Sequence, residues 1–372
     1  MKILQIVESL NKGAVENWLV RVFNESVNHR PNLEWTFFCI LDSPGDLDEI
    51  VLQNGGKIIK SPISISNKVA FLRNLRKQVR ADNYDVIHAH HDYLNSFYAL
   101  AFWRSKALKI SHIHNTDKHL PIGSRLLNKI LIPQLKFFNN ILYNKLIGIS
   151  QDTIQEFKYS FTGKYDESIL HYGIDLTKFR ILHNRLDVLT RLDIPIKARV
   201  LIYIGRFTEL KNPSFVVSIL HELSKENDEY YCLFIGEGDE LSAINQKVEE
   251  YNLQAKVRIL PWVSDPEKYF QIADVFVFPR KLKPIEGFGM VMLEAQAAGI
   301  NIIVSTGVSK ETIVIDQIVT MMDSISDPKL WACEIMNLKN STKINDAVNL
   351  IQNTQFNIQN STSKLISFYE TI

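Results

Sequence analysis

Short runs of β-branched and aromatic residues recur along this chain, each followed by a stretch of helix length, and this alternation constrains the fold more than any other feature. The first series occupies residues 2–7, 35–41, 57–59, 85–89, 108–113 and 145–149. Strands separated by helix-length segments are joined by crossovers, and crossovers build parallel sheets. The series then restarts at 199–204 and continues at 230–235, 256–260, 275–278, 300–304 and 317–321. Two series imply two sheets, so the expected fold is α/β with two Rossmann-like domains. Between them lie Tyr172-Gly173-Ile174-Asp175 and a polar stretch to Pro195, which puts the boundary near residue 185. The expected division is 1–185, 186–352 and a closing helix at 353–372, where Phe356, Ile358, Leu365, Ile366 and Tyr369 keep a helical spacing.

A chain of 372 residues with 46% hydrophobic and 22% charged content can bury a core in each domain. Its three cysteines, Cys39, Cys232 and Cys333, are odd in number and far apart, and read as small core residues in a reducing cytosol. The first apolar run is too short and too soon interrupted by charge for a signal peptide, and no stretch reaches the length of a membrane span. Residues 1–190 carry 24 Lys and Arg against 18 Asp and Glu (+6), and the remainder 18 against 23 (−5), so the two halves present different surfaces to their partners.

Ligands of open α/β sheets bind beyond the carboxyl ends of the strands, so the loops after each strand are the places to look. After the first strand comes Asn11-Lys12-Gly13-Ala14, a turn that can set backbone N–H groups and a helix end against a phosphate or sugar oxygen. After the first strand of the second series comes Gly205-Arg206, with Lys211-Asn212-Pro213 close behind, two cations suited to a diphosphate. The next strand ends in Gly236-Glu237-Gly238, a turn suited to a flat base or a ribose. The most informative segment runs Glu286-Gly287-Phe288-Gly289-Met290 into a helix that carries Glu294 about two turns on. The N–H groups at that helix start can hold phosphate, one carboxylate can grip sugar hydroxyls, and the other can accept both ribose hydroxyls.

The paired glutamates with seven residues between them, the Gly205-Arg206 and Lys211-Asn212-Pro213 elements, the Gly236 turn, Gly173-Ile174-Asp175 and the Gly13 loop together resemble glycosyltransferase family 4. The likeness is strongest to its bacterial exopolysaccharide, capsule and O-antigen members. The resemblance implies a GT-B fold, two Rossmann-like domains facing across a cleft, with the last helix packing back on the first domain. It implies a retaining, metal-independent transfer from a nucleotide-sugar, uracil-based by family habit, to a glycan or lipid-linked acceptor. By position, Arg206 and Lys211 would bind the diphosphate and Glu294 the ribose. Glu286, with the backbone of Phe288, Gly289 and Met290, would hold the transferred sugar and its phosphate. The family's pocket histidine matches His114, near the anomeric centre. Two departures stand out: Ala14 replaces the usual second glycine, and the 280–285 connection is longer and more basic than usual.

Other signals compete. His88, His90, His91, His112 and His114 cluster near two strand ends and suggest zinc, but only Asp92 joins them at ligand spacing and a carbohydrate pocket also favours histidines, so the expectation is no metal. Asp46-Leu47-Asp48 reads as the capping segment of a helix. From Lys118 to Gln151 there is no acidic residue, while Arg125, Lys129, Lys136 and Lys145 alternate with apolar residues. Such a stretch can lie on an anionic bilayer or simply face the core. The charge is too modest for a nucleic-acid partner. Two alternatives stay open: a sugar-nucleotide epimerase or hydrolase of the same fold, and a non-catalytic sugar-nucleotide-binding protein.

Overall fold

The computed structural model describes residues 1–371 except 116–124, 158–165, 284, 324, 326 and 339–342, and describes the backbone alone at 125–129, 156, 166 and 167. It divides into two compact units, 1–173 with 358–372, and 174–357.

The first unit is built on β1 (Lys2–Val7), β2 (Glu34–Cys39), β3 (Lys57–Lys60), β4 (Val86–Ala89), β5 (Leu108–Ile113), β6 (Lys145–Gly148) and β7 (Asp166–Ile169). These strands form one parallel sheet in the order β3-β2-β1-β4-β5-β6-β7. The second unit carries β8 (Arg199–Ile204), β9 (Tyr230–Ile235), β10 (Val257–Leu260), β11 (Val275–Phe278), β12 (Asn301–Ser305) and β13 (Val319–Met322). They too are parallel, in the order β10-β9-β8-β11-β12-β13. In the second sheet the central strands are apolar on both faces, as a sheet covered by helices on either side requires. β11, Val-Phe-Val-Phe, is fully buried.

In each sheet the strand order reverses once, between β1 and β4 and between β8 and β11. Crossovers leave in opposite directions at such a point, so the loops beyond the strand ends splay apart and leave room for a ligand. The loops after β1, β4, β8 and β11 therefore carry the residues of interest.

The closing helix, Ile358–Tyr369, belongs to the first unit and buries Ile358, Ser361, Thr362, Leu365, Ile366 and Tyr369, one stripe at helical spacing. It docks against helix Ala14–His29: Trp18 Nε1 donates to Ser361 Oγ at 3.2 Å, and Gln5 Nε2 donates to Tyr369 Oη at 2.9 Å. The division falls earlier than residue 185, between Gly173 and Ile174, and again between Asn357 and Ile358. The reason is bonding: Ile174 bridges Asn357, Arg185 pairs with Asp274, and Gln271 donates to the carbonyls of Phe179 and Ile181, tying 174–185 to the second unit.

Two further expectations are corrected or sharpened. Cys39 and Cys232 are buried, but Cys333 is exposed. It lies on helix Pro328–Asn337, whose buried stripe is Trp331, Ala332 and Ile335, about 100° per residue away from position 333. Asp48 opens helix Asp48–Gln53, but the expected cap is not made: Leu47 stands at the N-cap with no side-chain cap bond, and Asp48 Oδ2 instead accepts the Gly45 N–H at 2.9 Å and Lys60 Nζ at 2.6 Å, tying the preceding turn and β3 to the helix start.

Candidate active site

At the reversal in the second sheet, the loop after β8 delivers Arg206 and Lys211, and the loop after β11 delivers Arg280 and Glu286. Arg280 is 5% exposed, and its Nε donates to Glu286 Oε2 at 2.7 Å while its Nη1 donates to the carbonyls of Lys281 and Gly307. Lys211 Nζ lies 3.7 Å from Glu286 Oε1 and 5.5 Å from the centroid of the Phe278 ring. Arg206 is exposed beside them. Burial alone would raise the Glu286 pKa, but Lys211 and Arg280 reverse that and hold the carboxylate below its ordinary value. Burial lowers the Lys211 pKa, with Glu286 acting against it. Three cations thus face one carboxylate, and the surplus of positive charge suits a diphosphate.

Beneath them Tyr203 is fully buried among Phe207, Phe234 and Phe278, and its hydroxyl donates to the Arg206 carbonyl at 3.2 Å. The loops after β8 and β9 are zipped together: Phe207 N–H donates to Glu237 O at 2.8 Å and Glu240 N–H to Phe207 O at 3.0 Å. This close approach demands glycine, since a Cβ at Gly236 would stand 2.1 Å from Gly205 O and one at Gly238 2.3 Å from Phe207 O. Gly289, at φ 82°, caps helix Met290–Ala297 and turns the chain from Glu286 into it. Phe288 is buried against Phe356, and Met292, Leu293 and Ala295 anchor the helix in the core, leaving Glu294 half-buried on its outer side.

In the first unit, Gln5 pairs with His88 and His88 with Ile110 in register, so alternation sends Gln5, His88, His90, His112 and His114 to one face. Neighbouring imidazole centroids are 4.2–5.4 Å apart. Trp18, Tyr172 and Tyr369 cover them. Burial, reinforced by mutual repulsion of charge, lowers all four histidine pKa values, that of His90 to about 3, so the rings are neutral.

Neutral rings, with Gln5 Oε1 facing His90, fix the directions along one chain of bonds. Gln5 Oε1 accepts from His90 Nε2–H at 2.8 Å, so His90 Nδ1 accepts from His114 Nε2–H at 3.0 Å, and His114 Nδ1 accepts from Tyr172 O–H at 2.5 Å. Both nitrogens of His114 are therefore engaged inside the first unit. Asp92, in a left-handed conformation at φ 48°, holds the backbone here: its Oδ1 accepts the N–H of His114 at 2.7 Å. Burial raises its pKa to about 6 against the pull of these bonds. Gly13 precedes helix Ala14–His29, and a Cβ there would meet the Glu16 carboxylate at 2.0 Å.

Residues 32–188 match the family described as Glycosyltransferase Family 4, and residues 189–355 match Glycosyl transferases group 1. The two matches run unbroken from residue 32 to residue 355. The chain belongs to glycosyltransferase family 4. EpsF of Bacillus subtilis (strain 168), named as a glycosyltransferase, is 25% identical over 340 residues, covering 89% of this chain and 86% of EpsF. CapH of Staphylococcus aureus, a capsular polysaccharide biosynthesis glycosyltransferase, is 22% identical over 378 residues, covering 99% of this chain and 98% of CapH. Among solved structures, HepE of Anabaena in complex with UDP-glucose superposes with a TM-score of 0.81 at 15% identity, covering 100% of both chains. The fold is GT-B.

In this family 4 glycosyltransferase, Arg206, Lys211, Gly236, Glu237, Glu286, Phe288, Gly289, Met290 and Glu294 all belong to the second unit, where Lys211 pairs with Glu286 and Arg206 lies near enough to act on its charge. Gly13 and His114 belong to the first. Sequence reasoning passed over Arg280 as part of a basic loop. Its signal was positional: β8 and β11 are neighbours in register, and Arg206 and Arg280 each stand two residues past a strand end. Lys281 turns outward from the same loop to pair with Glu209, and Pro284 lies outside the described residues. So does the 118–124 part of the basic stretch. The remainder forms helix Arg125–Leu142, where Ile130, Phe137, Phe138 and Ile141 are exposed.

Proposed function

We propose that this glycosyltransferase transfers a sugar with retention of configuration from a UDP-sugar to a glycan or lipid-linked acceptor, in the assembly of bacterial surface polysaccharide. The observation that carries the reading is the convergence of Lys211 and Arg280 on Glu286, with Arg206 beside them, at the strand reversal of the second sheet. Arg206 and Lys211 take the diphosphate, and Glu286 gives up part of its ion pairing to grip sugar hydroxyls. The N–H groups of Phe288, Gly289 and Met290 hold the phosphate next to the sugar, Glu294 accepts the ribose hydroxyls, and Gly236 and Glu237 flank the nucleoside.

Cations and helix N–H groups placed where the leaving diphosphate gains charge lower the barrier without a divalent ion at the donor. The acceptor hydroxyl attacks from the face the diphosphate leaves. His114 approaches the anomeric centre by exchanging one of its imidazole partners for a sugar hydroxyl, and the Gly13 turn lends backbone N–H groups to the donor. The relatives EpsF and CapH and the bound UDP-glucose of HepE support the donor class and the setting. The exposed apolar side of helix Arg125–Leu142 supports contact with an anionic bilayer, and with it a lipid-linked acceptor.

The test is sugar transfer from a panel of UDP-sugars in EDTA, with and without acceptor glycolipid, with the product anomer read by NMR. Transfer with retention is expected. Sugar released or isomerised equally well without acceptor would instead make the protein a hydrolase or epimerase.

A further inference from the structure

The histidine layer of the first unit contains more unsatisfied nitrogen than a purely packed layer tolerates. His88 and His112 are fully buried, and His88 Nε2 and both ring nitrogens of His112 have no hydrogen-bond partner among the described residues. Each such buried group costs about 1–3 kcal/mol. The three orphaned atoms lie on adjacent rings of one sheet face, next to His90. One nitrogen from each of His88, His90 and His112 falls within 4.8 Å of the other two. Zinc–nitrogen bonds of about 2.0–2.1 Å place tetrahedral ligand nitrogens roughly 3.4 Å apart, so the set stands within about 1.5 Å of that spacing.

We propose that His88, His90 and His112 form a buried binding site for one divalent ion of the zinc class. Three neutral imidazoles with no carboxylate among them select zinc and its neighbours over magnesium or calcium. The surroundings fit as well. A metal-bound imidazole generally hands its other nitrogen to a fixed partner that sets the ring's orientation. Here His90 Nε2–H donates to Gln5 Oε1 at 2.8 Å, leaving Nδ1 for the ion, and His88 Nδ1 lies 2.7 Å from Tyr369 Oη, leaving Nε2. Gln5 Nε2 also donates to Tyr369 Oη, so one glutamine and one tyrosine orient two ligands. Coordination removes the orphaned nitrogen of His88 and one of the two on His112. Only His90 gives up a bond, that from His114. The site ties β4 and β5 together beneath the closing helix. Its residues lie in the first unit, and the inference does not rest on the donor reading, whose cations lie in the second.

The test uses the full chain prepared without a histidine tag. Elemental analysis is expected to find close to one zinc-class ion per chain. After removal of metal with a chelator, titrated Co2+ is expected to bind at one equivalent with the intense visible absorption of a tetrahedral site and to raise the melting temperature. His88→Gln and His112→Gln are expected to abolish that absorption. Because a buried histidine variant can fail to fold, Gln5→Leu provides a second arm, expected to weaken Co2+ affinity about 10- to 100-fold with an unchanged far-ultraviolet spectrum. A wild-type chain that takes up no Co2+ at one equivalent, or variants that bind it as well as the wild type does, would overturn the proposal.

Discussion

At the scale of single residues, the account turns on a carboxylate held by cations. Removing Lys211 as Lys211→Ala takes away one charge aimed at the leaving diphosphate and should lower kcat/KM about 10²- to 10³-fold, measured by steady-state transfer. Arg280→Ala does something different. With its side chain 6% exposed, Arg280 holds Glu286 and two backbone carbonyls, so its loss should destabilise the second unit by about 3–5 kcal/mol in urea unfolding. The Glu286 carboxylate is depressed below 4.5, so its stabilising share is fully present above that pH and disappears as pH falls through the folded value. The stability gap between wild type and Glu286→Gln should accordingly be level above pH 4.5 and close below it. A gap that widened on acidification would contradict this sign. Lys211 and Glu286 were legible in the sequence because their loops have a fixed distance from a strand end. The partnership of Arg280 was passed over, because its place two residues past β11 carries meaning only once β11 is known to lie beside β8.

At the scale of elements, the strands announced themselves. β8, β9 and β11 coincide with their apolar runs because strands buried on both faces leave little room for polar residues, and β1 and β5 coincide with theirs although each buries polar side chains, Gln5 in one and Ser111 and His112 in the other. β7, Asp-Glu-Ser-Ile, was not anticipated: an edge strand needs pairing on one side only, and its composition reads as a loop. The tyrosine of the closing helix makes an element-level prediction. Tyr369→Phe removes the hydroxyl shared by Gln5 and His88, leaves both without that partner, and should destabilise the first unit by about 1–3 kcal/mol in thermal or urea unfolding. No change would mean that the helix is held by its apolar stripe alone.

At the scale of the whole molecule, two units with parallel sheets were foreseen, and the boundary expected near residue 185 lies beside the junction of the two family matches at 188 and 189, while the compact units part earlier, after Gly173. Residues 174–185 look like a linker by composition. They are claimed by the second unit through Arg185 with Asp274 and through the Ile174 bridge to Asn357, contacts that no local pattern reveals. The halves differ in charge, +6 for residues 1–190 against −5 for the remainder, and two contacts are proposed for them, an anionic bilayer for the first and a nucleotide for the second. Vesicle flotation tests the first: wild type should bind anionic vesicles, and Phe137→Ser with Phe138→Ser should reduce binding several-fold while leaving UDP affinity unchanged.

The central claim is that the second unit holds a nucleotide diphosphate with its own cations. The most direct measurement is calorimetric titration of UDP and UDP-sugars in EDTA into wild type, Lys211→Ala and Glu294→Ala. The account predicts binding to the wild type without added metal, weakened about 10- to 100-fold in each variant. Equal affinity in all three proteins, or binding that appears only when a divalent ion is supplied, would contradict it.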